Sequence, residues 1–277
     1  MPFGLGNNEE AIIRRYPVAA YFAVTFLISW TSALAVAAPH LLGAQPLPRM
    51  TGILMFPVML LGPSLAGIAL TRIADGKSGL RALFSQVFRA RVPPGWYTAL
   101  LIPPLLVLAV LLFLQKFVSP VYEPNRFFIG ILFAIPAGFL EEIGWTGYAF
   151  RKMHRAGDAL APSIRLGLLW SLWHLPVINY LGAATPHGGY WLQFFLAFSL
   201  AMTAMRVLIA WIYTNTKSLL LAQLMHVSST GSLVVFGAPR VTGVQEATWY
   251  AAYGIVLWVL VGIIVKTFGR RLARHGV

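Results

Sequence analysis

Long apolar runs recur along the whole chain, and they constrain its fold more than any other feature of the sequence. A run of about 20 apolar residues is long enough to cross the hydrocarbon core of a bilayer as a helix. Lipid offers the backbone no hydrogen-bond partners, so segments of this kind are expected to be helical. The sequence predicts an all-α polytopic membrane protein with eight transmembrane helices. The eight predicted spans are approximately residues 16–38, 51–71, 97–115, 127–150, 164–182, 190–213, 218–236 and 248–267.

Composition supports this fold class. Hydrophobic residues make up 58% of the chain and charged residues only 10%, whereas soluble chains average about 25% charged residues. A net charge of +13 would suggest nucleic acid as a partner in a soluble protein, but here the basic residues lie in the predicted loops. Since no linker rich in Ser, Gly or charge interrupts the spans, residues 1–277 are expected to form a single integral membrane domain with the bilayer, and not nucleic acid, as its partner.

The basic residues also predict the orientation of the chain, because Lys and Arg concentrate in cytoplasmic loops. With both termini in the cytoplasm, the inner segments carry 16 basic residues and the outer segments carry 4. The inner set is Arg14, Arg15, Arg72, Lys77, Arg81, Arg89, Arg91, Arg151, Lys152, Arg155, Arg165, Lys217, Lys266, Arg270, Arg271 and Arg274, and the outer set is Arg49, Lys116, Arg126 and Arg240. Both termini are therefore predicted to be cytoplasmic.

Two segments allow more than one interpretation. Residues 79–91 combine apolar residues at helical spacing with three arginines and are too short to span, which favours a short interfacial amphipathic helix. An ordinary loop helix packed on the bundle fits the same pattern. The first span contains Ala33-Leu34-Ala35, which resembles a signal-peptidase site, but its length favours a retained membrane span.

Five ionisable residues from four predicted spans lie at one depth. Each is 9 to 11 residues from a basic residue at the cytoplasmic end of its span, or roughly 13–17 Å at 1.5 Å per residue. Charged residues at this depth cost about 3 kcal/mol each on insertion scales, and they are functional by default. Taken singly, a histidine can be a packing residue and an arginine can snorkel. The five ionisable residues that share this depth are Glu141, Glu142, His174, Arg206 and His226.

The residue types at this level favour hydrolysis by an activated water. The chain has no cysteine and contains neither a G-x-S-x-G nucleophile motif nor the H-E-x-x-H zinc motif. A carboxylate can act as general base, and imidazoles can hold the water or donate to an oxyanion. Adjacent helical residues point about 100° apart, so one of Glu141 and Glu142 is expected to be the base and the other its partner.

Three segments resemble the motifs of one family, in the family's own order. They are Glu141-Glu142 with Trp145-Thr146-Gly147-Tyr148, then Trp170-Ser171-Leu172-Trp173-His174, and finally His226-Val227-Ser228-Ser229-Thr230. The family is the CPBP family, which comprises type II CAAX prenyl endopeptidases and bacteriocin-processing or immunity proteins. The resemblance covers roughly residues 126–236 and implies an eight-helix intramembrane protease that depends on a glutamate.

The resemblance also implies roles for particular residues. Glu141 would be the general base, His174 would help hold the attacking water, and His226 with Thr230 would form the oxyanion site. Glu142 would be the structural carboxylate of the pair. Around these residues, Trp145, Thr146, Trp170 and Arg206 are expected to bind substrate or support the catalytic groups.

This sequence departs from the family pattern at two positions. Thr146 stands where the family has an arginine, and Thr230 stands where it has an asparagine. We hypothesise that Arg206, at matching depth, supplies the missing positive charge. The departure at Thr146 also motivates an alternative, a catalytically weak relative that acts as an immunity or interaction protein.

Further alternatives concern the metal, the mechanism class and the substrate. The resemblance favours a reaction that requires no cofactor, but Glu141, His174 and His226 are also a plausible ligand set for zinc. A proton-coupled transporter would use similar residues, although the repeated broken helices typical of transporters are not evident. A prenylated protein, a leader peptide or another membrane-associated protein would suit the site, in what is expected to be a bacterial cell membrane.

Overall fold

A computed structural model describes residues 7–43, 48–154, 157–180 and 187–273, and its regular elements there are helical. The α-helices in chain order are α1 Asn7–Arg15, α2 Pro17–Leu42, α3 Arg49–Met59, α4 Leu61–Val87, α5 Gly95–Thr98, α6 Ile102–Phe117, α7 Ile131–Gly144, α8 Arg151–Met153, α9 Leu160–Trp173, α10 Leu175–Tyr180, α11 Trp191–Thr216, α12 Leu219–Phe236 and α13 Gly243–Phe268. Short 3₁₀ turns occupy Ala99–Leu101, Pro120–Tyr122, Phe128–Gly130 and Gly188–Tyr190, and a π-helical turn occupies Trp145–Phe150.

The predicted fold class is confirmed. Within the described residues, seven helical stretches are long and apolar enough to cross a membrane. They are Pro17–Leu42, Ile53–Val87, Gly95–Phe117, Phe128–Met153, Gly188–Thr216, Leu219–Phe236 and Gly243–Phe268. The protein is therefore a polytopic helical membrane protein. Its orientation stays a prediction, and two of the basic residues behind that prediction, Arg155 and Arg274, lie outside the described residues.

The remaining predicted span, residues 164–182, is divided between two helices. Helix α9 ends at Trp173 and α10 begins at Leu175, so neither alone has the 18 residues of a candidate span. A physical reason for the break lies at Pro176, whose ring nitrogen cannot donate to a carbonyl in the preceding turn. Residues 181–182 of the predicted span lie outside the described residues.

The short helix predicted over residues 79–91 belongs to the second half of α4. Gly76 has φ 71° and ψ −160°, and it separates this half from the apolar first half by a kink. The helix ends at Val87, so Phe88 to Arg91 lie beyond it. Leu83 is fully buried against the bundle, whereas Phe88 is 78% exposed. The segment is thus an amphipathic helix packed on the bundle, and its place at a membrane interface stays a prediction.

Helix α11 occupies the centre of the bundle. Residues 201–210 are all buried, and α11 contacts α9, α12 and α13 on its different sides. A helix that is apolar all round is expected to be enclosed by other helices. Arg206 lies within this buried stretch at 1% exposure, so its charge requires a partner inside the protein.

Two glycines allow the helices around Arg206 to approach closely. A Cβ atom at Gly138 of α7 would lie 2.7 Å from the Gln223 carbonyl oxygen on α12, and one at Gly167 of α9 would lie 2.7 Å from the Thr203 Cα on α11. Small residues serve this purpose in membrane proteins because association there depends on close packing. These contacts hold the helices that carry the predicted site residues side by side.

Candidate active site

Glu142 is the centre of a buried cluster of polar side chains. Its Oε2 accepts a hydrogen bond from Arg206 Nη1 at 2.8 Å and another from the Thr146 hydroxyl. Its Oε1 lies 2.7 Å from His226 Nδ1. The Glu142 side chain is 0% exposed, and a buried carboxylate is tolerable only when it is paired and hydrogen-bonded. Both oxygens of Glu142 are thus engaged by residues from α11, α12 and the π-helical turn.

Glu141 has a different and smaller set of partners. Its Oε2 accepts from Trp145 Nε1 at 3.0 Å and from Trp170 Nε1 at 2.8 Å. Its Oε1 is buried and makes no hydrogen bond to any described residue. The two adjacent glutamates therefore do not share a partner, in agreement with the expectation that their side chains point apart. Of the two glutamates, Glu141 is the one with an oxygen that no described residue hydrogen-bonds.

Trp170 contacts Glu141 and two of the partners of Glu142. The Arg206 Cζ is 4.3 Å from the centre of its ring, a cation–π distance. The His226 ring meets it edge-on, with ring centres 5.1 Å apart. Its indole nitrogen donates to Glu141. Trp170 is therefore in contact with the partners of Glu142 and with Glu141 itself.

The π-helical turn Trp145–Phe150 follows directly after the glutamate pair. Trp145 and Thr146 each reach back to the glutamate four residues earlier, Trp145 to Glu141 and Thr146 to Glu142. Such turns are rare, and they occur frequently at functional sites. Local sequence thus supplies one donor to each carboxylate before any other helix contributes.

His174 lies at the junction of α9 and α10. Its Nδ1 is 2.7 Å from the Trp170 carbonyl oxygen. Because a carbonyl oxygen only accepts, we assign the hydrogen to Nδ1, which leaves Nε2 as an acceptor in the neutral ring. The ring packs against Trp173 and Phe198. Among the described residues, no hydrogen bond joins His174 to either glutamate.

Thr230 stands apart from the hydrogen-bonded cluster. It lies one helical turn beyond His226 on α12 and is partly exposed. No hydrogen bond links its side chain to the cluster in the part of the chain that the structure describes. A role at the oxyanion therefore depends on a substrate group that reaches toward it.

The histidines and carboxylates do not form a metal-ligand group here. No set of three His, Cys, Asp or Glu side chains in the described ranges has the arrangement needed to hold a metal ion. The predicted zinc ligands Glu141, His174 and His226 are thus not arranged as a ligand set in this structure.

Sequence reasoning missed Gln223 as a supporting residue. Its Nε2 donates to the Phe139 carbonyl oxygen at 3.0 Å, across the interface between α7 and α12. This bond joins the helix of the glutamates to the helix of His226. The signal that could have found it is an amide inside an apolar span, one turn before a histidine that was already singled out.

Fold and site together define an integral membrane protein whose helices enclose a cluster of acidic and basic residues. Residues 123–232 match the family described as type II CAAX prenyl endopeptidase Rce1-like, and every residue of the predicted site lies within that range. The family resemblance predicted from the three motifs is confirmed.

A similar curated protein is CAAX prenyl protease 2 of Methanococcus maripaludis, which is 32% identical over 139 residues. The alignment covers 46% of this chain and 51% of that protein. The chain thus spans about half the length of the curated relative that it matches.

Proposed function

We propose that the protein is an intramembrane endopeptidase in which Glu141 activates a water molecule to hydrolyse a peptide bond. The observation that carries this proposal is the contrast within the glutamate pair. Both oxygens of Glu142 have partners in the protein, whereas Oε1 of Glu141 has none among the residues that the structure describes. The match to the endopeptidase family supports the same class of reaction.

In this mechanism Glu141 is the general base. The indoles of Trp145 and Trp170 hold its Oε2, so Oε1 faces the water and accepts its proton. The water oxygen attacks the carbonyl carbon of the scissile bond, and the carbonyl oxygen becomes the oxyanion. Glu141 then returns the proton to the amine as the peptide bond breaks.

His174 orients the attacking water. Its Nδ1 hydrogen is committed to the Trp170 carbonyl oxygen, so Nε2 can accept a hydrogen from the water but cannot donate one. This leaves the second hydrogen of the water for Glu141. With its hydrogens directed to Glu141 Oε1 and His174 Nε2, the water oxygen has a lone pair directed toward the substrate carbonyl.

Glu142 and Arg206 support the electrophilic side of the site. Arg206 balances the charge of Glu142, and Glu142 in turn accepts a hydrogen bond from His226 Nδ1. When His226 is protonated, its Nε2 can donate to the oxyanion, and Thr230 can add a weaker donor from the next turn. Arg206 thereby takes the part that the family's arginine would play at the position of Thr146.

The substrate is proposed to be a membrane-associated protein or peptide. The name of the relative, CAAX prenyl protease 2, points to a prenylated protein, and a leader peptide is the alternative. The proposed location is a bacterial cell membrane, with both termini on the cytoplasmic side, as the distribution of basic residues predicts. The family resemblance implies that the active site opens on the same side.

A comparison of peptide termini tests the proposal. Cells express the intact protein, Glu141→Gln or Glu10→Gln at matched levels, and new termini in membranes and medium are identified by mass spectrometry. Glu10 is an exposed carboxylate, so its variant controls for the loss of a charge. Termini that vanish only with Glu141→Gln would support a protease and would identify its substrate.

The alternative is a relative without protease activity that acts as an immunity or interaction protein. The observation that favours it is Thr146, which stands in place of the family's arginine. Identical termini in all three strains, with each protein folded in the membrane, would contradict the protease proposal and favour this alternative.

A further inference from the structure

An apolar groove runs along the outside of the bundle between α2 and α9, away from the glutamate pair. Its volume is about 780 Å³. Its apolar lining is made by side chains from the start of α2, the end of α8 and the middle of α9. These residues are Pro17, Val18, Ala19, Phe22, Met153, Leu168 and Leu169.

Basic side chains surround one end of this groove. Arg15, Lys152 and Arg165 all line it. Lys152 is paired with Asp75 at 2.6 Å. Arg15 and Arg165 are exposed, and no carboxylate lies within ion-pair distance of either in the part of the chain that the structure describes. The Arg15 Cζ lies 5.2 Å from the centre of the Tyr16 ring, and the groove therefore presents two positive charges that no described carboxylate pairs.

Backbone groups add to the positive character of this end. Val18 and Ala19 belong to the first turn of α2, where N–H groups have no carbonyl partner within their own helix. From Pro17 to Phe22 helix α2 advances by five residues, or roughly 8 Å at 1.5 Å per residue. Charge thus lies at one end of the groove and apolar surface extends away from it.

We propose that this groove binds a phospholipid with an anionic headgroup. The headgroup phosphate pairs with Arg15 and Arg165, and an acyl chain lies along Phe22, Leu168 and Leu169. All three basic residues belong to the segments predicted to be cytoplasmic, and basic pockets between helices on that side of a membrane are typical sites for anionic headgroups. Two positive charges at the groove favour an anionic lipid over a neutral one. This proposal does not rest on the proposed protease activity.

Native mass spectrometry of the full-length protein in detergent tests this proposal. Phosphatidylglycerol and phosphatidylcholine with the same acyl chains are added at equal concentrations, and bound lipid is counted. The double variant Arg15→Gln/Arg165→Gln is compared with Arg81→Gln/Arg271→Gln, which removes two exposed arginines from outside the groove. The two double variants have the same net charge.

The intact protein is expected to retain one phosphatidylglycerol in preference to phosphatidylcholine. The groove variant is expected to bind it about 30-fold more weakly, or about fivefold for each basic residue, and the control variant is expected to bind it normally. The proposal is overturned if the intact protein shows no preference, or if both variants lose it equally. It is also overturned if glycerol 3-phosphate, which has the charge but no acyl chain, displaces the lipid at equal concentration.

Discussion

The guanidinium carbon of Arg206 lies 4.3 Å from the centre of the Trp170 ring, and the indole nitrogen of the same ring donates to Glu141 at 2.8 Å. The Trp170 side chain therefore contacts Arg206, the cation that neutralises Glu142, and also Glu141, the carboxylate that is proposed to act as base. The two glutamates are adjacent in sequence. The side chain that contacts both Glu141 and the cation paired with Glu142 is Trp170, which lies 29 residues after Glu141.

Trp170→Phe separates the two contacts of that ring. Phenylalanine keeps an aromatic face beside Arg206 but cannot donate to Glu141, so a buried carboxylate loses one of its two donors. We expect the free energy of unfolding to fall by about 1–3 kcal/mol and peptide hydrolysis to fall at least tenfold, because Oε2 is then held by Trp145 alone. Thermal unfolding in detergent and turnover of a cleaved peptide measure the two effects.

Trp191→Phe is the matched control for that substitution. The Trp191 indole nitrogen has no hydrogen-bond partner among the described residues, so its removal breaks no bond. Equal losses in the two variants would show that the size of the ring, rather than the bond to Glu141, determines the effect.

Arg206→Met is expected to be strongly destabilising by itself. It leaves Glu142 buried without its cation, and breaking a buried ion pair from one side costs about 3–5 kcal/mol. Thr146→Arg is also expected to be destabilising, since it brings a second guanidinium into a fully enclosed cluster. The double variant places one arginine opposite one carboxylate and should recover stability.

The free energies of unfolding of the two single variants and the double variant complete a thermodynamic cycle. We expect a coupling of at least about 1 kcal/mol in the favourable direction, since neighbours in one network are not additive. Additive losses would mean that Arg206 does not substitute for an arginine at position 146.

Gly167→Ala tests the close approach of α9 to α11. The added methyl group would meet the Thr203 backbone at 2.7 Å, so the helices must separate and Trp170 must move away from Arg206. We expect a loss of about 1–3 kcal/mol of stability, typical of overpacking. Gly262→Ala in α13 is the control, because no atom lies within 4 Å of its added Cβ. That variant should be neutral or slightly stabilised, because alanine favours helix.

The ion pair between Asp158 and Arg270 predicts a pH dependence outside the spans. Arg270 Nη2 donates to Asp158 at 2.7 Å, and this hydrogen bond lowers the pKa of the Asp158 carboxyl below its ordinary value. A lowered pKa in the folded state stabilises the protein above the ordinary aspartate pKa, and the contribution is lost as the pH falls through the folded-state pKa.

Arg270→Gln is therefore expected to lower the melting temperature slightly at neutral pH and to have no effect in strong acid. The Arg270 side chain is 61% exposed and that of Asp158 is 34% exposed, so the difference should be below about 1 kcal/mol. The measurement is the melting temperature from about pH 7 to about pH 2, so that the scan begins above the ordinary carboxyl range and ends well below it. Arg271 is an exposed neighbour without an ion pair among the described residues. For Arg271→Gln, the difference in melting temperature from the intact protein should not shrink as the pH falls.

The sequence predicted the features that depend on length and counting along one helix. The apolar runs indicated the helices, and distances from basic residues predicted that Glu142, Arg206 and His226 lie at one level, where the structure brings them into contact. These inferences succeed because a helix advances by a fixed rise per residue.

The features that depend on contacts between helices could not be predicted in this way. Nothing in the sequence near Trp170 indicates that its ring faces Arg206, since that depends on how closely Gly167 lets two helices approach. To predict the break at His174, the helix-breaking effect of Pro176 would have to be weighed against an apolar run that continues through it. Thr230 was matched by its spacing from His226, but one helical turn leaves it without a bond to the cluster.

The π-helical turn sets the rotation about the helix axis of the residues that follow it, relative to the residues that precede it. It lies between Glu142, which faces the interior, and Lys152, which lines the outer groove. If the same residues wound as an ordinary α-helix, with no wider turn to take up the extra residue, everything after it would be rotated by about 100°. The carboxylate pair would keep its orientation while Lys152 would turn away from the groove. The extra residue in the turn thus sets the angle between an inward-facing and an outward-facing surface of the same segment.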